Sequence, residues 1–538
     1  MNELSRESNF SQNLAAHPLI EAPRSAPVLA APHLNPWREA TELRALSGFV
    51  LVAGALLVVR LWLAAHLDLM YNEAYYALWA KHLAWGYYDH PPMVAIWIHL
   101  STLLFGESEF GVRALGILAA FAATALVYAI SWHLFGDRTR AAFAALLFSS
   151  MLLISAGALI VSPDTPLLFF WLIALYALVR IFRGDGAGWW GLIGIAMGLA
   201  LQSKYTTPLL GAGIACAMIA VPRLRVWWRH PAPYLAGALA LAMFSPVVAW
   251  NYRHGWASFA KQFGRAEVHG LSLRYIGEFV ATQIGFLSPF VFVLAVASLW
   301  LALARRRDAD SEPRMLLIAA VGPMLLYFLL HSMHARVHGN WLAPVYPVLA
   351  VLGSEAAFQI STFGERMRPC IALSRRLSVP LGLSLAGVGY LQALVAPILI
   401  NPGIDPIAAA ITGWSDLALT VDGFARREGA SYILTSTYIL TSELMYYEPR
   451  PIPVIQFNER LRWVSFEQPM PETLSRTGLY IADAGRHDLS NELANRFSRL
   501  TKIAEISRSR HGKQIQRYVL YRLQAPIGSI LDANLAQR

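Results

Sequence analysis

Charge is what this sequence has least of. Only 14% of its 538 residues are Asp, Glu, Lys or Arg, while 56% are hydrophobic and the mean hydropathy is +0.44. Soluble domains carry about a quarter charged residues. The deficit excludes an ordinary water-soluble globule and makes a bilayer the main solvent. Cysteine is nearly missing too: Cys216 falls in an apolar stretch and Cys370 in a basic one. That excludes a disulfide framework or a cysteine metal site. There is no cleavable signal pattern, no internal repeat and no low-complexity run beyond the start. Residues 1–44, rich in Pro, Ala and Ser with no amphipathic period, read as a disordered cytoplasmic tail.

What is present is a series of apolar stretches of membrane-crossing length. They fall at 45–66, 111–135, 141–161, 165–182, 189–203, 206–221, 231–251, 279–303, 314–331, 342–361 and 378–399. The fifth and sixth are short and flank Lys204, so one reads equally as half of a broken hairpin. The first is long enough to stay in the membrane as a signal anchor. The net charge of +10 would suggest nucleic acid as a partner in a soluble protein. Here the arginines gather between apolar stretches. With the N-terminus inside, Arg138, Arg140, Arg180, Arg183, Arg223, Arg225, Arg229, Arg305, Arg306, Arg307, Arg314, Arg366, Arg368, Arg375 and Arg376 all fall on the cytoplasmic side. The positive-inside bias accounts for them, and no nucleic-acid partner is implied.

The expected fold is therefore a mainly α, polytopic helical bundle of about eleven spans over residues 45–402. An odd count puts residues 403–538 outside. Their apolar runs shorten to strand length, as in Ser431–Thr435 and Gly478–Ala482, after a helix-like stretch from Trp414 to Glu428. That alternation predicts a small α/β domain, with no site marked within it.

The loop at 67–110 concentrates polar and aromatic residues: Asn72-Glu-Ala-Tyr-Tyr76, Trp79, then Gly86-Tyr-Tyr-Asp-His-Pro-Pro-Met93. Two amphipathic stretches, 73–85 and 93–105, suit helices lying along a membrane surface. Glu73 and Asp89 precede or open them, so helix capping is one reading and an active-site cluster the other. Asp164, bracketed by Pro163 and Pro166 in an outside turn, has the same two readings. Lys204, in the middle of an apolar region, either snorkels to the interface or meets a buried anionic partner. Arg265 and Gln262 in loop 252–275, and Arg336, His338 and Asn340 in loop 331–341, are further candidates.

The pattern Asn-Glu-Ala-Tyr-Tyr … Gly-Tyr-Tyr-Asp-His-Pro-Pro-Met closely resembles the first periplasmic loop of bacterial GT-C glycosyltransferases. These are the protein-O-mannosyltransferase-like enzymes, among them the aminoarabinose and galacturonic acid transferases of lipid A. Similarity continues in Ser162-Pro-Asp-Thr-Pro166, Gln202-Ser-Lys-Tyr205, Ala249–Trp256 and Asn340-Trp-Leu-Ala-Pro344. The resemblance implies a GT-C bundle in the inner membrane and a sugar donor carried on polyprenyl phosphate. It also implies inverting transfer at the periplasmic face to an envelope glycolipid (lipid A or its core), glycan, lipid or protein.

That chemistry needs a carboxylate for the acceptor, cationic groups or a divalent metal for the departing phosphate, and an apolar groove for the lipid. Glu73 is then the first choice of catalytic carboxylate, with Asp164 beside it. The family commonly has Asp-Glu where this chain has Asn72-Glu73, and Asn72 can hydrogen-bond a sugar but take no proton. A phosphate oxygen of the donor is a third candidate base. Asp89 matches a metal-ligand position, and His90 a phosphate contact that is Lys in aminoarabinose transferases. Lys204, Tyr76, Tyr88, Arg265 and Asn340 complete the expected donor contacts. Two other classes remain open: a transporter or flippase, which would show internal repeats and midplane polar residues, and a non-catalytic lipid-sugar-binding relative, motivated by Asn72.

Overall fold

The computed structural model describes residues 36–264, 270, 272–305, 308–398, 405–485, 488–510 and 512–532. Residues 42–538 form one compact unit; of the preceding one, Met1–Thr41, only residues 36–41 are described. The chain is mainly helical. Helices α1 (Pro36–Ala64), α2 (Tyr71–Lys81), α3 (Met93–Phe105), α4 (Glu109–Phe135), α5 (Arg138–Ser150), α6 (Leu152–Gly157), α7 (Asp164–Phe182) and α8 (Trp189–Leu201) come first. Then follow α9 (Thr207–Ala220), α10 (Ala232–Arg253), α11 (Ala257–Gly264), α12 (Leu273–Leu287), α13 (Pro289–Ala304), α14 (Ser311–His331), α15 (Tyr346–Phe358) and α16 (Arg368–Val395).

Among the described residues seven helices are long and apolar enough to cross a membrane, and two bent pairs bring the number up to nine. Every apolar stretch read from the sequence contains a helix. The difference from eleven comes from breaks. Segment 141–161 is split between α5 and α6, and segment 279–303 bends by 109° between α12 and α13, where Pro289 opens the second half. α8 and α9 have 13 and 14 residues, too few for a full crossing alone. The first helix begins at Pro36, nine residues before the span expected from residue 45.

Local sequence accounts for the turns. Ser108 caps α4 by accepting from the Gly111 amide at 3.2 Å. Gly136, at φ +68°, ends that helix in the left-handed conformation, and Asp137 starts α5 by accepting from the Arg140 amide at 3.0 Å. Small residues bring helices together where no hydrophobic effect drives them. A Cβ at Gly213 would lie 1.8 Å from the Ala320 carbonyl oxygen, so α9 and α14 touch backbone to backbone there. Arg140 and Arg314, expected as loop charges, are buried, and their guanidinium groups meet the buried Glu355 at 3.5 and 2.5 Å.

The C-terminal part carries α17 (Pro406–Ile411), α18 (Trp414–Arg427) and α19 (Tyr438–Tyr447). Its five strands are β1 (Ile433–Thr435), β2 (Val454–Gln456), β3 (Gly478–Asp483), β4 (Phe497–Arg510) and β5 (Lys513–Pro526). Their order is β2-β1-β3-β5-β4; β1 runs parallel to β2 and β3, and the remaining pairs are antiparallel. Alternation sorts the strand residues onto two cores. Ile433, Leu479 and Ile481 pack with α18 and α19, whereas Leu434, Tyr480 and Ala482 face the other side. Hydrogen bonds along the seam fix this domain on the membrane part. Asp68 accepts from the Trp414 amide at 3.1 Å, Tyr447 Oη accepts from the Leu69 amide at 2.7 Å, and Arg510 donates to the Ala393 carbonyl at 2.6 Å.

Candidate active site

The carboxylate favoured from sequence lies outside the cavity. Glu73 is fully buried in the first turn of α2. Its Oε1 accepts from Arg113 Nε and the Val161 amide, both at 3.0 Å, and its Oε2 from Arg113 Nη2 at 2.6 Å and the Met70 amide at 3.0 Å. Arg113, equally buried, also donates to the Leu67 and Asp68 carbonyls at 2.8 Å, beyond the end of α1. With four donors on its two oxygens, the Glu73 carboxylate has no lone pair turned to a substrate. The geometry is that of a cap and buried ion pair joining α1, α2, α4 and the turn before α7.

The polar cavity opens beside it, at about 240 Å³. Asn72, Tyr76 and His90 from the first loop line it, with Ser162 and Asp164, Lys204 and Tyr205, Gln262, His331 and Asn340. Seven of the sequence candidates (Asn72, Tyr76, His90, Asp164, Lys204, Gln262, Asn340) thus meet in one space. Asp164 is the one carboxylate among its described lining residues. Its helix begins at that residue, yet Asp164 makes no side-chain capping bond. Instead Lys204 Nζ donates to Oδ1 at 2.6 Å and Asn340 Nδ2 to Oδ2 at 2.7 Å. The capping reading of Asp164 therefore fails, and the snorkelling reading of Lys204 fails with it, since the ammonium is buried against a carboxylate. Lys204 lies in the short break between α8 and α9, which lets a cation reach Asp164 from an apolar hairpin.

A second, apolar cavity of about 90 Å³ adjoins the first and shares Ser162, Asp164 and Asn340 with it. Ala119, Ala120 and Ala123 on α4, Gly157 on α6 and Leu168 and Phe169 on α7 line it. Small side chains on α4 are what leave the space. Asp164 stands at the junction of the polar and apolar cavities.

Asp89 forms a separate cluster. Lys261 Nζ donates to Oδ1 and Arg462 Nη1 to Oδ2, each at 2.5 Å, and Tyr75 Oη donates to Oδ2 at 2.9 Å. Burial by itself would raise the Asp89 carboxyl, but the Arg462 and Lys261 charges outweigh it and hold the group below the ordinary range. Burial lowers the Lys261 ammonium despite Asp89. Burial first, then the Asp89 charge, pushes the Tyr75 and Tyr76 hydroxyls well up, so both remain protonated donors. The Tyr88 ring lies 4.0 Å from Lys261 Nζ, outside the cavity.

Asp89 does not fit the metal-ligand role that the resemblance suggested. Its oxygens already hold two cations and a hydroxyl, and no group of three or more His, Cys, Asp or Glu among the described residues is arranged for a metal. Arg265 lies outside the described residues. Arg336 pairs with Glu278 at 2.9 Å on the surface, away from the cavity.

Sequence reading missed the C-terminal domain's part. Tyr438 Oη donates to Asn72 Oδ1 at 3.3 Å, Arg462 reaches Asp89, and Trp463 and Phe466 pack into the same cluster as α2. No local motif announces Arg462, which acts across 373 residues of sequence. Lys261 was within reach, as the residue beside Gln262.

Comparison with known proteins agrees with this geometry. A family described as dolichyl-phosphate-mannose-protein mannosyltransferase matches residues 89–250. The lipid A galacturonosyltransferase RgtD of Rhizobium johnstonii is 26% identical over 386 residues, 70% of this chain and 77% of that one. The undecaprenyl phosphate-alpha-4-amino-4-deoxy-L-arabinose arabinosyl transferase 1 of Sodalis glossinidius is 27% identical, over 58% of this chain and 57% of its own length. Two crystal structures of ArnT from Cupriavidus metallidurans share the fold. The apo form has a TM-score of 0.61 at 15% identity, and the form bound to undecaprenyl phosphate 0.60 at 18%; each covers 91% of this chain and nearly all of its own. The chain thus shares the fold of ArnT, with seven to nine membrane-length helices among its described residues, and is similar in sequence to lipid A galacturonosyl and aminoarabinosyl transferases.

Proposed function

We propose that this protein moves a sugar from a polyprenyl-phosphate carrier to lipid A or a related envelope acceptor, with inversion at the anomeric carbon. The observation that carries the reading is the junction at Asp164, where a polar cavity with a buried lysine meets an apolar cavity. An amphiphilic donor needs both spaces at once. Its prenyl chain enters the groove beside α4 and α7, and its phosphate stops at Lys204 and His90.

The acceptor hydroxyl oxygen then bonds to the anomeric carbon as the bond from that carbon to the phosphate oxygen breaks. Polyprenyl phosphate leaves with the electron pair. Lys204 balances the charge that grows on it, in a water-poor site where such a contact is worth far more than in solution. Asp164 accepts the hydroxyl proton. Asn340 orients the Asp164 carboxylate, and Asn72 and Tyr76 hold sugar hydroxyls. Glu73 holds the scaffold through Arg113. The donor phosphate also draws Lys204 away from Asp164, which frees a carboxylate oxygen for the acceptor hydroxyl once the donor is seated.

The names of the relatives support undecaprenyl phosphate as the carrier and lipid A as the acceptor. The grouping of arginines supports eleven crossings in the inner membrane, with the N-terminus cytoplasmic and the domain from residue 403 periplasmic. Purified full-length protein given undecaprenyl-phosphate-linked galacturonic acid or aminoarabinose, with lipid A, tests the reading. Transfer is expected from one donor. Asp164→Asn is expected to lower kcat at least about a hundredfold, the lower end of the roughly 10²–10⁴-fold range for general bases, while undecaprenyl phosphate still binds. An Asp164→Asn variant with normal turnover refutes the assignment of the base.

A further inference from the structure

Three segments far apart in sequence converge on Asp89: the first loop, helix α11 and the turn at 459–463 of the C-terminal domain. Besides the two ion pairs and the Tyr75 hydroxyl, Gln262 Nε2 donates to the Asp89 main-chain oxygen at 2.6 Å. Arg462 Nε also donates to Glu459 Oε2 at 2.7 Å. Two carboxylates and two cations thus sum to no net charge. Asp89 and Lys261 are each next to a residue that lines the cavity: His90 follows Asp89, and Gln262 follows Lys261. The Arg462 guanidinium further lies 4.5 Å over the Tyr438 ring, whose hydroxyl meets Asn72.

We propose that Arg462 and Lys261 act as a fixed cationic clamp on Asp89 in the place of a bound metal, and that this clamp positions His90, Gln262 and Asn72 in the cavity wall. The C-terminal domain is then a working part of the transferase centre. A divalent cation arriving at Asp89 would have to displace an ammonium and a guanidinium already at 2.5 Å, and would meet their like charge while doing so. Arg462 and Lys261 are positioning residues: they touch Asp89 and Tyr88, neither of which lines the cavity. The consequence for transfer rests on the cavity being the transferase centre; the clamp itself does not.

Hydrogen–deuterium exchange and undecaprenyl phosphate binding, both on the full-length protein in detergent, test the clamp. Arg462→Met is expected to speed exchange in residues 82–92 and to weaken undecaprenyl phosphate about tenfold, the scale expected when a positioned group shifts by part of an ångström. Strands β1 and β3 should keep their protection, and Arg462→Lys should recover most of the affinity. Lys261→Met, which leaves the C-terminal domain untouched, should give the same rise in 82–92. Exhaustive chelation of the unaltered protein should change neither measurement. The clamp is overturned if either methionine variant leaves 82–92 protected, or if chelation alone reproduces the Arg462→Met pattern. A protein that binds no undecaprenyl phosphate refutes the transferase reading, while the exchange arms still decide the clamp.

Discussion

Replacing Glu73 by glutamine separates two accounts of the first loop. In the structure Glu73 accepts four hydrogen bonds, two from Arg113 and two from backbone amides, with both side chains buried. A glutamine keeps one acceptor oxygen and turns an NH2 group toward donors that it cannot satisfy. It also leaves the Arg113 charge buried without a counter-ion. Breaking a buried pair by removing one partner costs about 3–5 kcal/mol, a large share of the roughly 5–15 kcal/mol that holds a domain folded. Glu73→Gln should therefore lower the temperature at which the detergent-solubilised protein loses its monodisperse peak, and should lower its yield. Arg113→Met on top of Glu73→Gln should restore part of the loss, since it removes the stranded charge. Size-exclusion profiles after stepwise heating read both effects. A Glu73→Gln protein with an unaltered heating profile and no transfer would refute this reasoning and return Glu73 to the chemistry.

Other expectations follow from particular contacts. Lys204→Met should weaken undecaprenyl phosphate by at least about tenfold, read by a binding titration, since a charge-assisted hydrogen bond is worth about 1.5–3 kcal/mol. Ala120→Phe fills the apolar cavity beside Asp164. It should cost about tenfold in affinity, roughly two methylenes' worth of displaced chain contact at about 0.8 kcal/mol each, with little change in heat stability. Gly213→Ala should destabilise the α9–α14 contact by at least about 1–3 kcal/mol, seen as a lower unfolding temperature, because the new Cβ falls on the Ala320 carbonyl.

A pH effect belongs to Glu448. Burial, then the hydrogen bond with Asp422 and the Asp422 charge, push its carboxyl to about 7. The folded chain then binds more protons than the unfolded one between about pH 4.5 and 7, so that stability is present at the acid end and lost as pH rises through this window. The protection of α19 amides, with the base-catalysed rise of unprotected amide exchange divided out, should fall from pH 5 to 8, and Glu448→Gln should flatten the change.

The sequence was most legible where one physical rule decides. Apolar length located the membrane-length helices among the described residues, and apolar runs of strand length located Ile433–Thr435 and Gly478–Asp483. The break at Lys204 showed as two short apolar stretches, but the other helix breaks were not legible, because a bend such as the one before Pro289 costs no hydrophobicity. In the site, the intramembrane charge rule pointed correctly to a buried anionic partner for Lys204, and the partner is Asp164. Glu73 misled because a carboxylate at a helix start beside a polar cluster reads alike whether it faces substrate or an arginine. Only Arg113, 40 residues on and buried in an apolar helix, distinguishes the two. Arg462 escaped for a related reason: its contact joins segments 373 residues apart, which composition and spacing do not record.

The central claim is that this chain adds a sugar to an envelope glycolipid through Asp164. Mass spectrometry of lipid A from cells with the gene, without it, and with Asp164→Asn in its place tests that claim most directly. The account predicts a sugar-sized mass present in the first and missing from the other two, with the Asp164→Asn protein still in the membrane. An unchanged lipid A spectrum on removal of the gene would contradict the acceptor, and a normal spectrum with Asp164→Asn would contradict the site.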